Sequence, residues 1–223
     1  MADIASTLSQ LAGGLRFTLG IFFLTLLFSI PLGLLVARGR MSKNKIVSGI
    51  IRVYISIMRG TPLMLQLLLV YFGPYYIFAV KLSDLDVGPF KYRFVATIIG
   101  FSLNYAAYFA EIFRGGIQSM PVGQYEASQI LGFTRMQTYF RIILPQVVKR
   151  VLPSVTNEVI TLVKDTSLAQ VLAVTEMFTT AKNLASAQVS VMPFIVAGVF
   201  YYVMNGVIEI VMNRAEKSMS YYS

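Results

Sequence analysis

Five stretches of about 20 mainly apolar residues, 17–37, 62–80, 94–113, 151–174 and 191–212, dominate this chain, and each matches the length that crosses the hydrocarbon core of a bilayer. Within that core no water is available to bond backbone N–H and C=O groups, so a spanning segment satisfies its own backbone as a helix or closes with others into a barrel. The runs lack the two-residue alternation of strands, and helices are therefore expected. The resulting fold class is an all-α membrane protein with about five transmembrane helices, in a single domain covering 1–223. The fourth run is the most polar of the five, because it contains Glu158, Lys164 and Asp165.

Of the 223 residues 56% are apolar and 13% charged, about half the charged share of an ordinary soluble domain. A net charge of +9 raises the question of nucleic acid, but such binders gather their bases on one face of a soluble module. Here the bases flank apolar runs, and no nucleic acid is expected. Cysteine and histidine are absent, which removes disulfides, thiolate nucleophiles and most metal sites. The start, Met1-Ala2-Asp3 with Arg16 as its first base, lacks the basic region and cleavage site of a signal peptide, so the first run is expected to stay in the protein. Lys and Arg accumulate on the cytoplasmic side of membrane proteins. They cluster after the first run (Arg38, Arg40, Lys43, Lys45, Arg52, Arg59), after the third (Arg114, Arg135, Arg141, Lys149, Arg150) and in the tail (Arg214, Lys217). This bias puts the N-terminus outside and the C-terminus in the cytoplasm.

Between 46 and 58, Ile46, Val47, Ile50, Ile51, Tyr54 and Ile57 recur at three- and four-residue spacing and predict an amphipathic helix ahead of the second span. Arg59-Gly60-Thr61-Pro62 punctuates the entry to that span. Tyr75, Tyr76, Phe90 and Tyr92 fit an aromatic belt at the outer interface. Phe200, Tyr201, Tyr202 and the many methionines read as helix packing. No internal repeat and no broken-helix pair is visible.

The most distinctive segment is the loop at about 115–149. A helix-forming stretch from 124 to 131 ends at Gly132, which suits a left-handed cap, and a second from 134 to 144 is expected to stop before Pro145. Glu126 falls in the first turn of the first stretch, where a carboxylate suits the positive end of the helix dipole. Ala127 and Ser128 are small enough for another surface to approach closely. An ordinary amphipathic loop of a multispanning protein is the plain alternative.

Glu126-Ala127-Ser128, Gly132, and then Ile142, Leu144 and Pro145 resemble the Glu-Ala-Ala loop of bacterial ATP-binding-cassette (ABC) importer permeases, with Ser128 standing where a second Ala is usual. Arg59-Gly60-Thr61-Pro62, Asn104-Tyr105-Ala106-Ala107-Tyr108, Ala110-Glu111-Ile112-Phe113-Arg114-Gly115-Gly116 and Lys164-Asp165-Thr166-Ser167-Leu168 are similar to the polar amino-acid uptake branch. The resemblance implies a type I importer permease in the bacterial cytoplasmic (inner) membrane. It implies that the loop is a coupling helix docked on a cytoplasmic ABC ATPase dimer through Glu126, Ala127, Ser128 and Gly132. It also implies a second permease copy or homologue, an extracytoplasmic solute-binding protein and an amino-acid substrate. The chain has no Gly-x-x-x-x-Gly-Lys-[Ser/Thr] loop. ATP and Mg would therefore be bound by the partner ATPase, with no cofactor in this chain and no catalytic residue.

Ionisable groups inside a span usually face a bundle interior or an aqueous cavity. Glu158, Thr161 and Asp165 are three and four residues apart and share a helical face. Asn104 on the third span and Ser167 beyond the fourth add hydrogen-bonding groups. These five are the candidate substrate pathway, with Glu158 placed to hold an ammonium group and Lys164 a possible neutralising partner for Asp165. Glu111 and Arg114, three apart, are expected to pair at the cytoplasmic end. The rival reading is an ion-coupled secondary transporter or channel in which Glu158, Lys164 and Asp165 are ion or proton sites; a membrane enzyme is a distant third.

Overall fold

The computed structural model describes residues 4–87 and 91–218, and every element among them is helical. The frame is two parallel helices, α1 (Ile4–Arg40) and α4 (Tyr92–Gln118), with Phe17 against Phe94 near their starts and Gly33 against Phe109 further along. The 37 residues of α1 extend for about 55 Å, well beyond a bilayer core. Ile21, Phe22, Ala96, Phe101, Tyr105 and Phe109 are buried in the central cluster. Small residues permit this packing: a Cβ at Gly33 would lie 2.8 Å from the Cβ of Phe109. Close approach through small residues is the usual route to helix association in lipid, where apolar burial supplies no drive. The C-terminal ends of the two helices are joined by Glu111, which accepts from Arg114 at 2.6 Å and lies 3.8 Å from Arg40. The expected Glu111–Arg114 pair is present.

Helices α2 (Lys45–Gly60) and α3 (Leu63–Phe78) are separated by Thr61-Pro62 and bent by 112°. Asn44 starts α2 by accepting from the N–H groups of Ile46 and Val47. Pro62 has no N–H to continue a helix, and a residue before proline is pushed out of the helical region; Thr61 accordingly sits at φ −122°, ψ 149°. The break exposes carbonyls inside the protein, and two amides cover them. Gln66 Nε2 donates to Met58 O (3.0 Å), Thr61 O (3.1 Å) and Thr61 Oγ1 (2.8 Å). Asn104 Nδ2, from α4, donates to Met58 O (2.9 Å) and Gln66 Oε1 (3.0 Å). Beyond the bend α3 follows α4, with Leu67 against Gly100 and Tyr92 Oη donating to Val70 O at 2.8 Å.

The loop at Leu82–Leu85 is a short 3-10 turn. Asp86 accepts from Lys91 Nζ (2.9 Å) and from the Tyr92 N–H (2.6 Å), and these bonds, Lys91 first, hold its carboxyl below the usual carboxylate range. Tyr75 and Tyr76 are exposed, as a belt requires, but Tyr92 is buried and stacks on Tyr71. Phe90 lies outside the described residues.

After α4 come α5 (Val122–Ile130), α6 (Arg135–Gln137), a π-turn over Thr138–Ile143, and α7 (Leu144–Asp165). A 3-10 segment, Thr166–Leu172, then α8 (Met177–Gln188) and α9 (Met192–Ser218) complete the fold. α7 crosses α4 where Gly116 meets Val147 and Val151. Among the described residues α1, α4 and α9 are each long and apolar enough to cross a membrane, and the bent α2–α3 pair makes a fourth if counted as one span. The second run of the sequence is thus the C-terminal limb of a broken helix pair, which local periodicity did not reveal. The fourth run falls short as a continuous helix because it divides between α7 and the 3-10 segment and carries three charges.

Two outcomes follow from this packing. A Cβ at Gly116 would overlap Val151 Cγ1, so Gly116→Ala is expected to lower the thermal stability of the purified assembly by an amount equivalent to roughly 1–3 kcal/mol, and Val151→Ala in the same chain to recover most of it. Asn104→Ala strips a donor from the α2–α3 bend and should cost about 1–3 kcal/mol. Thermal unfolding measures that loss, and the substrate competition profile of the surviving protein stays unchanged if Asn104 acts only on the bend.

Candidate functional site

The 115–149 loop folds into a helical elbow whose turn is built by backbone geometry. Gly132 has φ +76°, its N–H donates to Gln129 O (3.0 Å), and the Phe133 N–H donates to Ser128 O (3.0 Å). This pair of bonds is the Schellman closure of a helix C-terminus, for which glycine carries no Cβ penalty. Thr134 then caps the next turn in a reciprocal capping box with Gln137. The left-handed glycine and the two-part helix match expectation, but two details differ. α5 starts at Val122, so Glu126 lies in its second turn, past the range where the dipole argument is strong. The chain also passes through Pro145: the π-turn over 138–143 runs straight into α7, with Pro145 in the first turn of α7, where a missing N–H is tolerated.

Glu126, Ala127 and Gly132 are exposed, whereas Ser128 is buried, with its hydroxyl donating to Gln124 O at 2.6 Å. The elbow's outer surface is unusually apolar: Val122, Ile130, Leu131, Met136 and Phe140 are all exposed, Ile130 at 86%. Its inner face packs through Met120, Ile143, Val147 and Val151. This construction presents a greasy, capped foot rigidly tied to α4 and α7.

The pathway candidates divide. Glu158 is half-buried on α7, close enough to Arg59 and Asp165 for both charges to act on it. Arg59 stands over the ring of Tyr108, with its guanidinium carbon 5.2 Å from the ring centre. Asp165 accepts from Tyr105 Oη at 2.7 Å, and no ion pair joins it to Lys164 among the described residues; Lys164 is exposed. Thr161 lies between Glu158 and Asp165, partly exposed. Ser167 spends its hydroxyl on Lys164 O (2.8 Å), capping the end of α7. Asn104 is buried and its amide N–H groups are committed to the α2–α3 bend. The structure therefore brings together Arg59, Tyr108, Glu158, Thr161 and Asp165 on α2, α4 and α7.

Sequence reasoning missed Glu176. It is fully buried and caps α8 by accepting from the N–H groups of Phe178 and Thr179, both at 2.6 Å, from Thr179 Oγ1 (2.9 Å) and from Tyr201 Oη (3.2 Å). The helix N-terminus and the Tyr201 hydroxyl substitute for water around the carboxyl group. The signal in the sequence was Glu176 directly before Met-Phe-Thr-Thr, a capping position masked by its apolar surroundings.

Residues 29–221 match the family model described as binding-protein-dependent transport system inner membrane component. The chain is 35% identical to the L-cystine transport system permease protein TcyB of Bacillus subtilis, covering 95% of this chain and 87% of that one. It is also 35% identical to the histidine/lysine/arginine/ornithine transport system permease protein HisM of Escherichia coli K12, covering 92% and 86%. In three dimensions it overlays on a crystal structure of an amino acid ABC transporter with histidines at a TM-score of 0.84, with 29% identity and 97% of both chains covered. A methionine ABC transporter, MetNI, in an inward-facing state shares the fold at a TM-score of 0.75 and 17% identity. With the Gly132 elbow, the bent α2–α3 pair and the α4–α7 crossing in place, the chain belongs to the binding-protein-dependent transport system inner membrane components.

Proposed function

We propose that this chain is the permease subunit of an ATP-driven importer that moves a polar amino acid across the bacterial cytoplasmic membrane by alternating access. The observation that carries the reading is the exposed apolar foot at 122–140, held by a Schellman turn between two helices of the membrane bundle. Such a surface is costly in water and suits a cleft on a partner, here the cytoplasmic ABC ATPase dimer that binds ATP and Mg. Glu126, Ala127 and Gly132 face that partner, and Ser128 fixes the foot from behind. The permease works as a dimer with a second copy or homologue and receives substrate from an extracytoplasmic solute-binding protein. The chain crosses the membrane five times, N-terminus outside and C-terminus inside, with α3, entered from α2 through the bend, as the second crossing and α7 with its 3-10 extension as the fourth.

In this reading closure of the ATPases displaces the foot, and because the foot is continuous with α7 through the π-turn, α7 moves with it. Glu158 travels on α7. Its carboxylate and the Arg59 guanidinium offer opposite charges to the two ends of a zwitterionic amino acid, with Thr161 between Glu158 and Asp165 as a hydroxyl donor. An ion-coupled carrier leaves the foot unexplained, and family membership favours the importer.

A tagged chain is expected to copurify its ATPase, whose hydrolysis rises on adding a binding protein loaded with one amino acid. Gly132→Asp is expected to keep the assembled complex and its basal hydrolysis but to reduce uptake into vesicles by about tenfold or more, since a β-carbon at positive φ alone costs about 1–2 kcal/mol; normal uptake would remove the docking role. Glu158→Gln is expected to lower uptake with unchanged expression and unchanged basal hydrolysis, and identical uptake kinetics would strike Glu158 from the pathway.

A further inference from the structure

The helix α2 divides its surface into three faces. Ile51, Tyr54, Ile55 and Met58 pack against α1 and α4, and Tyr54 Oη donates to Leu103 O at 2.6 Å. A second face, Lys45, Arg52 and Ser56, is exposed and polar, and Lys43 precedes it. The third is a stripe of Ile46, Ile50, Val53 and Ile57, spaced by four, three and four residues, with 72%, 65%, 58% and 51% of their surfaces exposed. At helical spacing these four stack on one line, about a third of a turn from both other faces.

Three observations bear on what meets that stripe. The 112° bend at Thr61-Pro62 sets α2 nearer to perpendicular than parallel to α3, which runs beside the membrane-crossing α4. Ser48 Oγ donates to Arg40 O at 2.9 Å and Arg40 reaches Glu111, so the start of α2 is fastened at the basic end of the α1–α4 pair. From position 4 to position 83 the sequence contains no Asp or Glu, while 38–59 holds six Lys or Arg. An apolar line flanked by cations on a helix lying across the bundle end is the arrangement of an interfacial helix. A second copy of this strongly basic chain would bring like charge to the same place, whereas an acidic lipid surface is complementary.

We propose that α2 is an interfacial helix that seats on anionic phospholipid of the cytoplasmic leaflet, with Ile46, Ile50, Val53 and Ile57 among the acyl chains and Lys43, Lys45 and Arg52 at the headgroups. The idea rests on the orientation given above for the first loop, which a separate control isolates.

Because the chain has no cysteine, single replacements report cleanly in the assembled transporter with cysteine-free partners, reconstituted in phosphatidylcholine with or without phosphatidylglycerol. A nitroxide at Ile50→Cys or Ile57→Cys is expected to relax strongly with oxygen and weakly with a water-soluble nickel chelate. Lys43→Cys is expected to react with an impermeant maleimide only from the cytoplasmic side. The triple variant Lys43→Gln, Lys45→Gln, Arg52→Gln should retain at least fivefold less phosphatidylglycerol through purification, as one charge near an anionic surface is worth roughly that factor. Low access to both relaxers would mean a protein partner covers the stripe, high nickel access would mean water, and equal phosphatidylglycerol retention by the triple variant would mean no headgroup recognition; each overturns the proposal. Labelling of Lys43→Cys from outside would instead overturn the orientation itself, a failure separable from the others.

Discussion

Away from water a backbone carbonyl has to find a partner within the protein, and the bend at Thr61-Pro62, where α2 gives way to α3, frees carbonyls that need one. Much of the rest follows from its repair. The amides of Gln66 and Asn104 converge on Met58 O and Thr61, which obliges α4 to pass close to the bend. The α1–α4 pair is then held by small residues at Gly33, Ala106 and Ala107, and the helices that carry the polar groups are arranged around it. A hydrogen bond between polar side chains in lipid is worth only about 0.6 kcal/mol on average. The value of this network is therefore geometric: it fixes the direction in which α2 leaves the bundle.

Much of this was legible in the sequence, for reasons specific to each segment. The helical character of the apolar runs follows from composition, because lipid leaves the backbone little choice. Gly132 was readable because a left-handed position favours one residue type, and Glu111–Arg114 because three-residue spacing on a helix is contact. The bonds that Asn104 makes to the α2–α3 bend were not readable, for an equally clear reason. A polar residue on a buried helix face has the same periodicity whether it lines a passage or caps a broken neighbour, and its partners Met58 and Gln66 lie 46 and 38 positions away. The α2–α3 break was hidden likewise: Pro62 was recognised as the start of a helix, while the angle between the limbs depends on contacts with α4. Glu176 escaped because a buried cap resembles a misplaced charge until α9 supplies Tyr201.

The site combines two kinds of order. The foot is local, its turn and capping box formed within fifteen residues, and local order is what a single sequence records best. The group formed by Arg59, Tyr105, Tyr108, Glu158 and Asp165 is assembled from three helices, and the hydrogen bond from Tyr105 to Asp165 bridges 60 positions.

The π-turn between the foot and α7 carries a further consequence. One wide turn inserts a residue relative to regular α-helical winding, and each residue advances a helix by about 100°. The azimuth at which α7 presents Glu158 to the bundle is thus set some fifteen residues upstream, by the winding of Thr138–Ile143. A relaxation of that turn to ordinary α winding would rotate the carboxylate away from Arg59 and, because an α-turn rises more per residue than a π-turn, push α7 slightly along its axis, so the linker couples rotation to a small stroke.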